Sequence, residues 1–151
     1  MNALRTIYRW WLTLMFAAII VQIGLAGLGA FDALDKAIGG AVDEDGFYDS
    51  FFPHAVLGQL LVLSGLVLLI LALVARLGRQ RVLQSLGIFV LLVAQLFLGW
   101  TGMELPVVLG LLHPINALVI LASVGILMQR EWMLARAAEP VPQVATAPPA
   151  A

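Results

Sequence analysis

The sequence predicts an all-α integral membrane protein, a four-helix bundle made of two repeated helical hairpins. Three observations lead there. Of its 151 residues 62% are apolar and 11% charged, against about 25% charged in soluble domains. Four segments, residues 10–31, 51–75, 82–101 and 107–128, reach or approach the roughly 20 apolar residues needed to cross a hydrocarbon core of about 30 Å. The third observation is a repeat. Gln22 is followed by Ala26 and Gly29, and Gln95 by Gly99 and Gly102 at the same offsets. His54 is followed by Gly58 and Ser64, and His113 by Ala117 and Ser123, again at matching offsets. Each hairpin therefore carries a glutamine on its first helix and a histidine on its second.

Composition also excludes. A net charge of -1 supplies no basic face to neutralise phosphates, so nucleic acid is not a partner. The absence of cysteine rules out disulfides, a thiol nucleophile and thiolate metal ligation.

The first span begins after Arg5 and Arg9, with Tyr8, Trp10 and Trp11 where aromatic side chains favour the headgroup boundary. A signal peptide's apolar region is only about 7–15 residues, so this longer run reads as a retained helix. Residues 32–50 form the one substantial polar loop, with six acidic residues against Lys36. Asp43-Glu44-Asp45-Gly46 lacks the alternating ligands and terminal Glu of a calcium loop, so the segment reads as a solvated acidic stretch.

Asp49 or Ser50 is the expected N-cap of the second span, with Pro53 tolerated in its first turn. Gly58, Gly65 and Ala72 recur every seven residues on nearly the face of His54, allowing close approach of a neighbour or a flat ligand. Arg76, Arg79 and Arg81 fill the next connection. The third span ends near Trp100, and a tight turn through Glu104 and Pro106 leads to the fourth. Residues 1–136 thus form one transmembrane domain, and residues 137–151, rich in Pro and Ala without periodicity, a disordered tail.

Seven arginines fall on one side of these four spans and Lys36 alone on the other. The positive-inside rule then predicts a multi-pass protein of the inner (plasma) membrane, with both termini and the arginine loop cytoplasmic and the acidic loop outside. On this topology Gln22, His54, Gln59, Gln95, His113 and Asn116 belong to the outer half of the bilayer. If the fourth helix continues to Arg136 the two histidines come level, and if it stops at Met128 they do not.

Polar groups inside a membrane point inward, where they join helices or mark a site. The glutamines and Asn116 read as interhelical hydrogen-bonding groups. The histidines read differently. They are the only two in the chain and occupy equivalent places in the repeat. Neutral imidazole is an axial ligand of haem iron, and diagonal helices can present two imidazoles to opposite faces of one porphyrin. Gly58 and Ala117, one turn on, would leave room for the ring. The expected set is therefore His54 and His113 as ligands, Gly58 and Ala117 lining a haem b, and Gln22, Gln95, Gln59 and Asn116 in support.

The segments Phe-Pro-His54-Ala-Val-Leu-Gly and Leu-Leu-His113-Pro-Ile-Asn-Ala resemble the histidine helices of bacterial haem A synthase. That fold is two four-helix halves with axial histidines on the second and fourth helix of each. The chain resembles one such half over roughly its first 130 residues. In the synthase a glutamate and an arginine stand close to histidine. Here Ala55 follows His54, so the resemblance implies haem ligation and not the oxidative chemistry. The Gln-Ile-Gly-Leu-Ala-Gly-Leu-Gly run with the two histidine segments is also similar to a family of small, uncharacterised bacterial four-helix membrane proteins.

Three functions stay open at this point. One is a b-type haem protein for electron transfer or redox sensing, with a membrane redox partner. The second is a quinone-handling or proton-relay site built on the same histidines. The third is a structural or assembly subunit without cofactor, partnered by the lipid bilayer and other subunits. No nucleophile–base pair, phosphate loop or carboxylate pair lies at membrane depth, which argues against an enzyme.

Overall fold

A computed structural model describes residues 2–40, 43–101 and 110–138. Gly102, the turn through Glu104 and Pro106, and nearly all of the Pro/Ala-rich tail lie outside the described residues. Four helices result: α1 (Asn2–Ile38), α2 (Glu44–Val74), α3 (Arg79–Thr101) and α4 (Leu112–Ala137). At 1.5 Å per residue even the 23 residues of α3 exceed about 30 Å, so each can cross a bilayer.

Two sequence expectations are corrected here, and one that the sequence left open is decided. Helix α1 runs on through Asp32 and Lys36 to Ile38 and α2 begins at Glu44, so most of the predicted acidic loop is helical. The N-cap of α2 is Asp43, whose side chain accepts from the Gly46 N–H at 2.8 Å, and Asp49 and Ser50 lie inside the helix. Helix α4 passes Met128 and ends at Ala137, the longer of the two expected courses.

The helices close into a square. α1 packs on α2 and α4, α3 packs on the same two, and the pairs α1/α3 and α2/α4 stand on the diagonals. Residues three and four apart share one helix face. Tyr8, Leu12, Met15 and Ile19 of α1 follow that spacing, as do Leu61, Gly65, Leu68 and Ala72 of α2. Ser85, Ile88 and Leu92 of α3 meet Ile120, Val124, Leu127 and Glu131 of α4. Outside this stripe large apolar side chains are bare: Leu14 is 59% exposed, Leu63 59% and Ile126 65%. A water-soluble monomer rarely shows so continuous an apolar surface, and lipid tails are its solvent.

The connection after α2 is built from its own carbonyls. The Leu77 N–H donates to Ala72 O and the Arg76 N–H to Leu73 O, both at 3.1 Å, with Arg76 at φ 51° and Gly78 at φ 93°. This is a Schellman end, in which one residue turns left-handed and the apolar residue after it, here the buried Leu77, folds back on the helix. At the opposite end Lys36 pairs with Asp32 at 2.7 Å and donates to Ser50 Oγ at 3.0 Å, joining the end of α1 to the start of α2.

Candidate functional site

Polar side chains collect in two layers separated by the apolar core. The layer at the arginine-bearing end is structural. Arg81 of α3 pairs with the buried Glu131 of α4, and Tyr8 of α1 shares a 2.9 Å hydrogen bond with Ser85 of α3. Trp11 Nε1 donates to Ser64 O, Trp132 Nε1 to Thr13 Oγ1, and the Arg9 guanidinium lies 5.1 Å from the Trp132 ring centre. The sequence reading missed this layer, because it took Tyr8 as a boundary residue and Arg81 as part of a connection, and gave Glu131 no role. Their signal was a carboxylate and an arginine at matching depth on consecutive helices.

The second layer holds the histidines. His54 of α2 and His113 of α4 face each other across the diagonal, ring centres 6.2 Å apart and ring planes tilted by 55°. Both are half-buried. The extension of α4 to Ala137 brings them level, as the longer course requires.

Gln22 of α1 holds His54. The His54 Nδ1 lies 3.1 Å from the Gln22 backbone oxygen, which accepts its proton. The Gln22 side-chain Nε2 donates to the His54 backbone oxygen at 2.8 Å and stands 3.3 Å from His54 Nε2. A proton on Nδ1 leaves the lone pair on Nε2, the nitrogen an axial ligand uses. Phe51 packs edge-on against the same ring at 6.3 Å.

The second hairpin repeats this arrangement with one change. Gln95 turns its side-chain oxygen to Asn116 Nδ2 at 2.7 Å, and Asn116 also donates to Leu91 O at 3.0 Å. The Gln95 backbone carbonyl lies near His113, as that of Gln22 does near His54, but outside hydrogen-bonding geometry. Among the described residues His113 Nδ1 is buried without a partner. The position three residues after His54, where Asn116 follows His113, holds Leu57. No donor meets the buried Gln22 Oε1 among the described residues in consequence.

Of the expected set, the structure gathers His54, His113, Gln22, Gln95 and Asn116. It turns Gln59 outward, exposed on the lipid-facing side of α2, so Gln59 does not support the histidines. Gly58 is also re-read. A Cβ there would stand 3.1 Å from Gln22 Nε2, so the small residue makes room for the Gln22 amide and not for a flat ring. Gly99 does the corresponding service for His113, whose Cε1 would lie 3.3 Å from a Cβ at that position. Ala117 is half-buried on α4. Thr101 Oγ1 donates to Phe97 O at 2.8 Å, within its own helix.

Among the described residues no third histidine, cysteine or carboxylate joins the pair. Two imidazoles alone fall short of the three or four protein ligands of a zinc site. They match the axial demand of a metal whose equatorial positions a macrocycle fills. Two grooves, one around Phe16, Leu121 and Gly125 and one around Trp11, Leu57 and Ser64, open on the lipid-facing surface and are lined by neither histidine. No protein-family model, curated protein or solved structure matches the chain.

Proposed function

We propose that this integral membrane protein holds one b-type haem between His54 and His113 and serves one-electron transfer or redox sensing. The reading rests on a single observation: two imidazoles on diagonal helices whose centres are 6.2 Å apart. Two metal–nitrogen bonds of about 2 Å, plus about 1 Å from each nitrogen to its ring centre, span about 6 Å. The donor chemistry agrees. His54 is the Nδ1–H tautomer, oriented by a backbone carbonyl in the manner of metal-ligating histidines. The likeness of the two histidine segments to haem A synthase points the same way.

The protein's own residues set the terms of binding. Gln22 Nε2 keeps its better acceptor, the His54 carbonyl, when it gives up the longer contact to His54 Nε2. The apolar layer of Leu61, Ile88, Leu92 and Ile120 seals the site from the arginine-bearing end. Buried apolar side chains thus stand between the two polar layers, which favours electron transfer over proton relay. A bound haem supplies reversible one-electron chemistry in a dry, low-dielectric setting.

Expression with ample haem, followed by purification in detergent, tests the proposal. The expected product has a Soret band and a low-spin, six-coordinate spectrum. His54→Ala and His113→Ala each lose the low-spin signature, while Gln22→Ala, which retains the backbone carbonyl, keeps it. Purified protein without a Soret band refutes haem ligation and leaves the polar layer as interhelical packing in a structural subunit.

A further inference from the structure

We infer that the two imidazoles are unequal ligands, His54 the fixed one and His113 the exchangeable one, so that the site takes a diatomic ligand in place of His113. The inference rests on the haem reading and adds a ligand class to it. Three observations separate the histidines.

The first is hydrogen bonding. His54 Nδ1 donates to the Gln22 carbonyl at 3.1 Å, and the Gln22 side chain returns a 2.8 Å bond to the His54 backbone. Ring and main chain are thus tied to one residue of α1. His113 Nδ1 has no hydrogen-bond partner among the described residues, since the Gln95 backbone carbonyl, the counterpart of the Gln22 carbonyl, lies near it without hydrogen-bonding geometry. A carbonyl or carboxylate on the distal ring nitrogen fixes orientation and raises ligand basicity, and its loss costs about 10–100-fold in metal affinity.

The second is place in the helix. His54 is the eleventh residue of α2, behind an N-cap made by Asp43. His113 is the second residue of α4, and Leu111 at its N-cap makes no side-chain hydrogen bond. First-turn N–H groups have no intrahelical acceptor, and Pro114 removes one of the next donors. Local opening is drawn from helix ends more readily than from helix interiors, and His113 lies at a helix end where His54 does not.

The third is packing. His54 meets Phe51 edge-on and the Gln22 amide over Gly58. His113 rests on Gly99, where no side chain braces the ring from α3. A ring without a distal hydrogen bond, at a weakly held helix end and beside a glycine, can leave the metal with little else disturbed. Exchange is a ligand substitution: the bond to His113 Nε2 breaks, a bond to the diatomic carbon or nitrogen forms, and the ring departs neutral.

The test uses the full-length haem-loaded protein reduced with dithionite and carbon monoxide as probe. The expected result is a Soret shift to a carbon monoxide adduct in the unaltered protein. His113→Ala should retain haem, show a five-coordinate high-spin ferrous spectrum, and bind carbon monoxide at least ten-fold faster. His54→Ala should retain at least ten-fold less haem than His113→Ala at equal protein recovery. Haem-loaded protein that stays six-coordinate and unshifted under carbon monoxide overturns the inference while leaving the haem proposal intact. Equal haem loss in the two variants, with no adduct in the parent, does the same. A parent with no Soret band removes both.

Discussion

Arg81 of α3 and Glu131 of α4 form an ion pair at the arginine-bearing end of the bundle, with the Glu131 side chain 9% exposed and that of Arg81 25%. It is the one acidic residue among the described residues that sits on the arginine side, and it ties the second hairpin together where the fourth helix leaves the core. A buried partner left alone costs about 3–5 kcal/mol, and the partial exposure of Arg81 lowers that to about 2 kcal/mol. Glu131→Gln should therefore destabilise the protein by about that amount. Denaturant unfolding in micelles measures it, and a change below about 0.5 kcal/mol would rank the pair with ordinary surface pairs.

Glycines differ in what an added methyl would meet, which gives a graded prediction. At Gly29 a Cβ would fall 2.8 Å from the backbone oxygen of Ser50 and 2.9 Å from Phe51 Cδ1. Backbone cannot swing away, so α1 and α2 must separate, and Gly29→Ala should cost about 1–3 kcal/mol. At Gly24 nothing lies within 4 Å, and Gly24→Ala should gain up to about 1 kcal/mol from helix propensity. Thermal unfolding of the two variants in one detergent should place them on opposite sides of the parent.

Leu57→Asn restores in the first hairpin what Asn116 supplies in the second. Gln22 Oε1 is a buried acceptor without a donor among the described residues, and the repeat puts the missing amide three residues after His54. The gain should be about 0.6–1 kcal/mol, the typical size of an interhelical hydrogen bond in a membrane protein. Loss of stability in this variant would mean that the packing of Leu57 against the core outweighs the added hydrogen bond.

Charge placement predicts orientation. Reporter fusions after Arg136 and within the connection at residues 75–78 should report cytoplasm, and a fusion at Asp45 the opposite side. An Asp45 fusion on the cytoplasmic side would invert the protein and move the histidine layer to the inner half of the bilayer.

What the sequence determined by itself is the class, the span number and the repeat. Length and apolar content of each segment were enough for four spanning helices, because a bilayer demands that every backbone group be satisfied within the segment. The offsets that repeat after Gln22 and Gln95, and after His54 and His113, were enough to single out four of the residues that now form one layer. Helix ends were less legible. Asp43 and not Asp49 caps α2, since several acidic residues could serve and only the path of the chain from α1 selects among them.

Tertiary structure alone decided direction and partnership. A glutamine one turn from histidine on the same helix looks inward by composition, yet Gln59 points to lipid, because a 100° step per residue carries it off the face that Leu61 and Gly65 bury. Gly58 read as space for a ring and proved to be space for the Gln22 amide, a contact between residues 36 positions apart that no local pattern records. The inequality of His54 and His113 is of the same kind. It depends on how α3 and α4 pack, since Asn116 Nδ2 donates to Gln95 Oε1 at 2.7 Å while His113 Nδ1 is left without a hydrogen bond among the described residues.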